Sequence, residues 1–307
     1  MSPQAGLLQI DWDAFDPWAV TPVRHRLMQH PLLQMDALME LGARLDTRGC
    51  VRTHSNDATA GTPFNNAPRM HPNRAGTVAT LAGIAEAKAW MSLLNVQTDP
   101  LYRTLVDEVL DGIAPGIARR DPGMCYRGGW IFVTSPRTVT PYHFDKEHNF
   151  ILQVHGRKTL YVWDPHDTVA ASEQARDLFH ATHSRDRLQW DESLRARARV
   201  FHLEPGDGAY MPSTSPHMVE NGDGPSVTIS CTYYTDATRR DALLHRAHER
   251  LRVWGMEPPP VGHSRWLDAG LLAGFRAAAL LRRCRARIAG APLPQPDREP
   301  YALARSS

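Results

Sequence analysis

The stretch "TPYHFDKEHN", residues 140–149, places His143 and Asp145 two residues apart on a run that otherwise reads as strand. Side chains at i and i+2 of a strand share a face, so the imidazole and the carboxylate should converge. Such a pair is either hydrogen-bonded to itself or half of a metal site. A third group comes from "EPGDGAYMPSTSPH", where a Pro-Gly-Asp turn, a short strand and a polar loop precede His217. In a rolled-up sheet His217 can return to face the first two.

Two imidazoles and one carboxylate on one face of a metal leave coordination positions open, as in the non-haem Fe(II) facial triad. Two open positions suit a chelating 2-oxo acid, and another suits O₂. If that acid is 2-oxoglutarate, its far carboxylate needs a buried cation and polar donors to offset desolvation. Lys158 opens the strand after the one carrying Asn149, and Thr140 lies shortly before His143. Taken alone, each of these is a solvated or backbone-satisfying strand residue. The combination is what favours a site. Glu147 shares the parity of His143 and Asp145 but lacks the matching context, and is not taken as a ligand.

The elements that must position these groups fall into three textures. Residues 1–118 read as mostly helical, with apolar positions near a 3.6-residue period in "VRHRLMQHPLLQMDALMELGARL", "TVATLAGIAEAKAWMSLLN" and "PLYRTLVDEVLDGI". A loop over 52–76, rich in Asn, Pro, Gly and Thr, interrupts them and, with residues near Tyr142 and Trp130, is a candidate substrate entrance. Residues 119–236 carry short β-branched or aromatic runs broken by Gly, Pro, Asp and Asn, the pattern of an all-β sandwich or barrel. Residues 237–290 return to helix, and 291–307 form a loose tail. The expected architecture is mainly β with helical flanks, a double-stranded β-helix of the jelly-roll, cupin-like kind.

Composition narrows the class further. Of 307 residues, 42% are apolar and 22% charged, ordinary for a globular protein with a sizeable core. A formal net charge of +2 gives no argument for nucleic acid. Cys50, Cys125, Cys231 and Cys284 form no CxxC pair, which fits free thiols and a cytoplasmic setting. The opening residues lack a cationic segment followed by an apolar run, and no apolar stretch is long enough to span a bilayer. The arginine-rich stretch 239–287 reads as helices with leucines on one face and arginines on the other.

The segments "TPYHFDKEHNFILQVHGRKTLYVWDP", "PGDGAYMPSTSPH" and "SVTISCTYY" resemble the JmjC/cupin-like family of Fe(II)/2-oxoglutarate-dependent oxygenases, over roughly residues 125–235. Within it they are most similar to the asparaginyl hydroxylases of hypoxia-inducible factor. The resemblance implies that His143, Asp145 and His217 hold the metal. It implies that Lys158 pairs with the 2-oxoglutarate carboxylate, with Thr140 and Asn149 beside it. Thr232 stands near the place of a family asparagine, and Trp90 near that of a family tyrosine. It further implies a hydroxylase and a homodimer through C-terminal helices, and it names no substrate. The rival readings are a cupin-type metal enzyme that does not use 2-oxoglutarate, and a catalytically silent cupin-like binding module.

Overall fold

The computed structural model describes residues 6–288. Its first strands are β1 (Leu8–Gln9), β2 (Thr21–His25), β3 (Val51–Ser55), β4 (Ala89–Leu93), β5 (Cys125–Thr134) and β6 (Val139–His143). They are followed by β7 (His148–His155), β8 (Lys158–Val162), β9 (Arg199–Leu203), β10 (Asp207–Met211), β11 (His217–Asn221) and β12 (Ser226–Tyr234). An eight-stranded sheet runs β1-β2-β10-β7-β12-β5-β4-β3, and a four-stranded sheet runs β6-β11-β8-β9. The expected β sandwich is what forms.

The α-helices are α1 (Met35–Asp46), α2 (Ala67–Met70), α3 (Thr77–Ala82), α4 (Pro100–Asp111), α5 (Ala114–Ala118), α6 (Glu173–Thr182), α7 (Asp236–Val253) and α8 (Arg265–Ile288). Those of the N-terminal part cover the outer face of the larger sheet. There Val227, Ile229, Cys231 and Tyr233 of β12 join Leu41, Val106 and Val109 of α1 and α4 in one apolar core. Each such side chain contributes about 1.5–3 kcal/mol on burial.

The other face of β12 carries Ser226, Thr228, Ser230 and Thr232, all buried. The same parity puts Trp90 and Ser92 of β4, Trp130 and Phe132 of β5, and Asn149 and Ile151 of β7 on the inner side. Opposite them, Leu160 and Val162 of β8 and Val219 of β11 pack against Ile151, Ala209 and Met211. Central strands here are buried on both faces. One face is greasy and the other is rich in hydroxyls and amides, so the interior between the sheets is where polar chemistry can sit.

Two local expectations change. The run 77–95, read as one helix, is α3 followed by β4, and the region 1–118 contributes four strands to the larger sheet. "AWMSL" is a short apolar run that periodicity alone does not assign, and its place inside the sheet, buried on both faces, decides for strand. The β region also carries a helix, α6, between β8 and β9, started by Ser172, whose side chain accepts a hydrogen bond from the Ala175 amide. In the C-terminal pair Leu244 is buried, Leu243, Leu251, Leu271 and Leu272 are half-buried, and Leu280 is exposed. The tail 291–307 lies outside the described residues. Among those described, no helix is long and apolar enough to cross a membrane.

Gly156 makes the β7–β8 turn that sets Lys158 in register. Its φ is +72°, and an added Cβ would lie 2.1 Å from the Pro225 carbonyl oxygen. Gly156→Ala should therefore lower stability by at least about 1–2 kcal/mol, read as a shift of the urea midpoint. Gly224→Ala, where a Cβ meets nothing within 4 Å, should leave that midpoint unchanged.

Candidate metal centre

Strands β6 and β11 are antiparallel neighbours, and their register sets His217 directly opposite His143. The two rings lie 4.1 Å apart between centroids. Asp145 follows β6 in the turn rather than continuing the strand, yet its carboxylate still reaches both rings. The polar loop ahead of His217 is tied to that turn. The Thr214 amide donates to the Asp145 carbonyl at 2.8 Å, and the Ser213 hydroxyl donates to the Lys146 carbonyl at 2.7 Å.

The register also slips by one residue between His217 and Val219, because Val219 faces Thr140 while His217 faces His143. This bulge, at Pro141 and Tyr142, brings both Thr140 and His143 to the inner face although they are three residues apart.

The donor atoms are arranged for a cation. Nδ1 of His143 lies 2.7 Å from the Pro141 carbonyl oxygen, and Nδ1 of His217 lies 3.0 Å from that of Ser215. An acceptor at Nδ1 assigns the ring proton there and leaves each Nε2 lone pair free. Those Nε2 atoms stand 3.8 and 3.9 Å from Asp145 Oδ2. That is too far for hydrogen bonds and suits ligands around one ion, which removes the hydrogen-bonded-pair alternative. The second oxygen of Asp145, Oδ1, accepts from Arg185 at 2.7 Å. Burial, the neighbouring imidazole and the Arg185 cation push His143 well below its usual range, and burial likewise lowers His217. Both rings are neutral ligands at neutral pH.

A second cluster, Glu173, Asp177 and His245, has similar composition. There both Asp177 oxygens are already occupied, by His245 Nδ1 and Arg252 Nε at 2.7 Å each, and Glu173 pairs with Arg176 at 3.2 Å. It fastens α6 to α7. The donor set at His143, Asp145 and His217 is the one that fits a metal.

His143 and Asp145 open onto a chamber of about 230 Å³ against the inner face of the larger sheet. Trp130, Phe132 and Asn149 form part of its wall, and α6 with the loop after it closes one side through Phe179, His183 and Arg185. Phe64, from the long loop, stacks on His143 with centroids 3.8 Å apart and planes 6° from parallel. The guanidinium groups of Arg52 and Arg185 lie 4.1 and 5.0 Å from the Phe64 ring. Burial and the Asp145 charge raise Glu147 to about 7, and Tyr234 donates a hydrogen bond to it at 3.1 Å. Glu147 lines the chamber but is not part of the triad.

Of the residues anticipated for a co-substrate, Asn149 alone is part of the lining of this space. Lys158 is only 5% exposed, lies on the inner face of β8 with Leu160 and Val162, and has no hydrogen-bond or ion-pair partner among the described residues. With nothing to offset its desolvation, its ammonium is pushed down to about 7. Asn149 lines the chamber, and its buried Oδ1 has no partner. Thr232 pairs with Asn149 in register and donates to the Gly128 carbonyl at 3.4 Å. The Thr140 hydroxyl accepts from Trp90 Nε1 at 2.8 Å. Lys158, Thr140 and Thr232 do not line the chamber itself.

Sequence reasoning missed Arg185 and Phe64 as individual residues. The long loop carried a signal for Phe64. Nothing local marks Arg185, forty residues from the carboxylate it holds.

A double-stranded β-helix holding two histidines and a carboxylate at its open end defines a metal-binding cupin-type protein. The sequence pattern of the cupin-like domain matches residues 85–239, half of the 307-residue chain, and the chain belongs to that family. It is 33% identical over 98 residues to Jumonji C domain-containing protein 5 of Drosophila melanogaster, covering 30% of this chain and 24% of that one. It is 32% identical over 80 residues to lysine-specific demethylase 8 of Danio rerio, covering 24% and 20% respectively. Each match thus spans less than a quarter of the relative's length. Among solved structures, the ribosomal oxygenase YcfD of Escherichia coli, in complex with cobalt and 2-oxoglutarate, aligns at 15% identity over 89% of this chain and 66% of that one, with a TM-score of 0.48.

Removing a ligand should remove the metal. His217→Ala should lose at least about 100-fold in Mn(II) affinity by calorimetry, while Arg185→Gln, which frees the far oxygen of Asp145, should lose about 10–100-fold. Both variants should keep the wild-type circular dichroism spectrum. Wild-type Mn(II) binding in His217→Ala would show that the ligand set is wrong.

Proposed function

We propose that this chain is an Fe(II)- and 2-oxoglutarate-dependent oxygenase that hydroxylates a C–H bond, with its catalytic core within residues 119–236. The observation that carries the reading is the conjunction of the three-ligand donor set with Lys158, a buried cation lacking a counter-ion. A cupin enzyme without a dicarboxylate co-substrate has no use for such a lysine.

When bound, the metal and 2-oxoglutarate supply the oxidant: O₂ is consumed, 2-oxoglutarate becomes succinate and CO₂, and one oxygen atom enters the substrate C–H bond. The protein's own part is placement. His143 and His217 present neutral Nε2 atoms, held by their Nδ1 contacts to backbone carbonyls. Asp145 offers Oδ2 while Arg185 fixes Oδ1. Lys158 neutralises the far carboxylate of 2-oxoglutarate, and the Thr140 hydroxyl, the Asn149 amide and Thr232 complete that pocket. The aromatic walls from Phe64, Trp130 and Phe132 keep water from the reacting carbon.

A homodimer through α7 and α8 is part of the same proposal. Trp254 and Trp266 are 75% and 91% exposed, and Leu280, Leu281 and Ile288 are exposed along α8. A second copy is the occupant that the family resemblance suggests. A cytoplasmic location agrees with the four free cysteines among the described residues.

Two measurements test the enzyme reading. Purified protein should release succinate from 2-oxoglutarate only with both Fe(II) and O₂, and His143→Ala should release none. Succinate production without added metal, after chelation, would refute it.

The second concerns pH. An anion needs the ammonium form of Lys158, whose ordinary pKa burial lowers to about 7. Affinity for 2-oxoglutarate should therefore be full below that value and fall as pH rises through it, by roughly tenfold per unit. In Lys158→Arg, whose guanidinium stays charged, this slope should vanish even if affinity is weaker. Calorimetric titration of the Mn(II)-loaded protein between about pH 6 and 8.5 reads both.

A further inference from the structure

The chamber holds more positive charge than the proposed reaction uses. Arg52 sits on β3, with Ser92 beside it in register and Phe132 beyond, and all three line the chamber. Its guanidinium lies over the Phe64 ring and donates to the Phe64 carbonyl. It has no ion pair among the described residues. Lys146 is also on the chamber wall; its ammonium donates to the His180 carbonyl at 3.3 Å, meets His183 Nε2 at 3.2 Å and lies 4.9 Å from the Phe179 ring centroid, with no ion pair among the described residues.

The other charges are spoken for. Asp145 is shared between Arg185 and the metal site, and the two carboxylates of 2-oxoglutarate are taken by the metal and Lys158. Glu147, the remaining carboxylate of the lining, accepts a hydrogen bond from the Tyr234 hydroxyl at 3.1 Å. A half-buried guanidinium facing a cavity without a counter-ion is an anion site in waiting.

We propose that Arg52, with Lys146, recognises an anionic group of the substrate, a carboxylate or a phosphate, next to the carbon that is oxidised. The inference rests on the reading of the metal site given above. It defines a substrate class: a molecule, or a side chain of one, bearing negative charge within a few bonds of the target C–H. The position suits this. Arg52 packs against the aromatic ring that covers His143, so an anion held there lies beside the metal face on the larger-sheet side, whereas Lys158 stands on β8 of the smaller sheet. Phe64 and Arg185 also line a second groove, of about 420 Å³, that runs outward past Tyr142 and Trp190. The remainder of a larger substrate can lie there.

The test uses the full chain loaded with Mn(II) and saturating 2-oxoglutarate, without O₂. Acetate, acetamide and inorganic phosphate are titrated, and paramagnetic broadening of their methyl or phosphorus resonances reports approach to the metal. At least one anion should broaden saturably, and acetamide, the neutral isostere, should bind at least about tenfold more weakly. Arg52→Gln should weaken the anion at least about tenfold with 2-oxoglutarate affinity unchanged, whereas Arg52→Lys, which keeps the charge but not the fork stacked on Phe64, should lose less than Arg52→Gln. The tighter of acetate and phosphate identifies the charged group. Should Arg52→Gln not fold, Lys146→Met serves as the second variant and should show the same selective loss. The inference is overturned if the wild type binds 2-oxoglutarate but neither anion, or if the anion binds Arg52→Gln or Lys146→Met as tightly as the wild type. Failure of the Mn(II)-loaded wild type to bind 2-oxoglutarate would instead sink the reading of the site, and this inference with it.

Discussion

The structure depends on one antiparallel register, that of β11 on β6, which sets His217 across from His143. A strand slipped by one residue turns its side chains to the other face. A slip here would send the second imidazole out of the sandwich and leave an unpaired histidine and aspartate near the core. The register is fixed from two sides. β11 pairs on its other edge with β8, Val162 opposite His217, and the loop before it is hydrogen-bonded to the backbone around Asp145. The two imidazoles of the candidate metal site are thus set by backbone pairing.

That arrangement has an energetic cost which the rest of the molecule offsets. Ser92, Asn149 and Ser230 each carry a buried side-chain oxygen without a partner, and Lys158 is a buried cation without an anion. An unsatisfied buried polar group costs about 1–3 kcal/mol. The apolar outer face of the same strands, packed under α1 and α4, provides compensating stability. Each central strand divides its labour between its two faces, a stable one outward and a reactive one inward. A ligand with matching polar groups would relieve the inner face, so stability and binding are coupled.

The helix inserted between β8 and β9 completes the site from outside the sheets. The loop after α6 brings Arg185 to the Asp145 carboxylate, and α6 itself is fastened to α7 through Asp177, His245 and Arg252. The buried ion network between α6 and α7 therefore holds the element that orients the Asp145 carboxylate. The cation at Arg185 and the ring of Phe64 act on His143 and Asp145 from opposite elements, which narrows their rotamers before any ion arrives.

Much of this was legible in the chain itself. The composition of the His143–Asp145 pair, the places of Asn149 and Lys158 on strands, and the turn and polar loop before His217 depend on local strand and turn chemistry, which the sequence expresses directly, although Asp145 reaches His143 from the turn after β6 and not by strand parity. The strands β5, β7, β8 and β12 were readable for the same reason, being short β-branched runs bounded by turn residues. The strand character of "AWMSL", the bulge that turns Thr140 inward with His143, and the partnership of Arg185 with Asp145 were not. Each depends on a neighbour distant in sequence: a sheet that takes β4 between β5 and β3, a partner strand that is one residue shorter, a helix insertion that returns forty positions later. Local sequence determined which groups could do chemistry and on which face of a strand they stand. Only the tertiary structure decided which cations remain unpaired, because pairing is settled by distances between segments that no local pattern records.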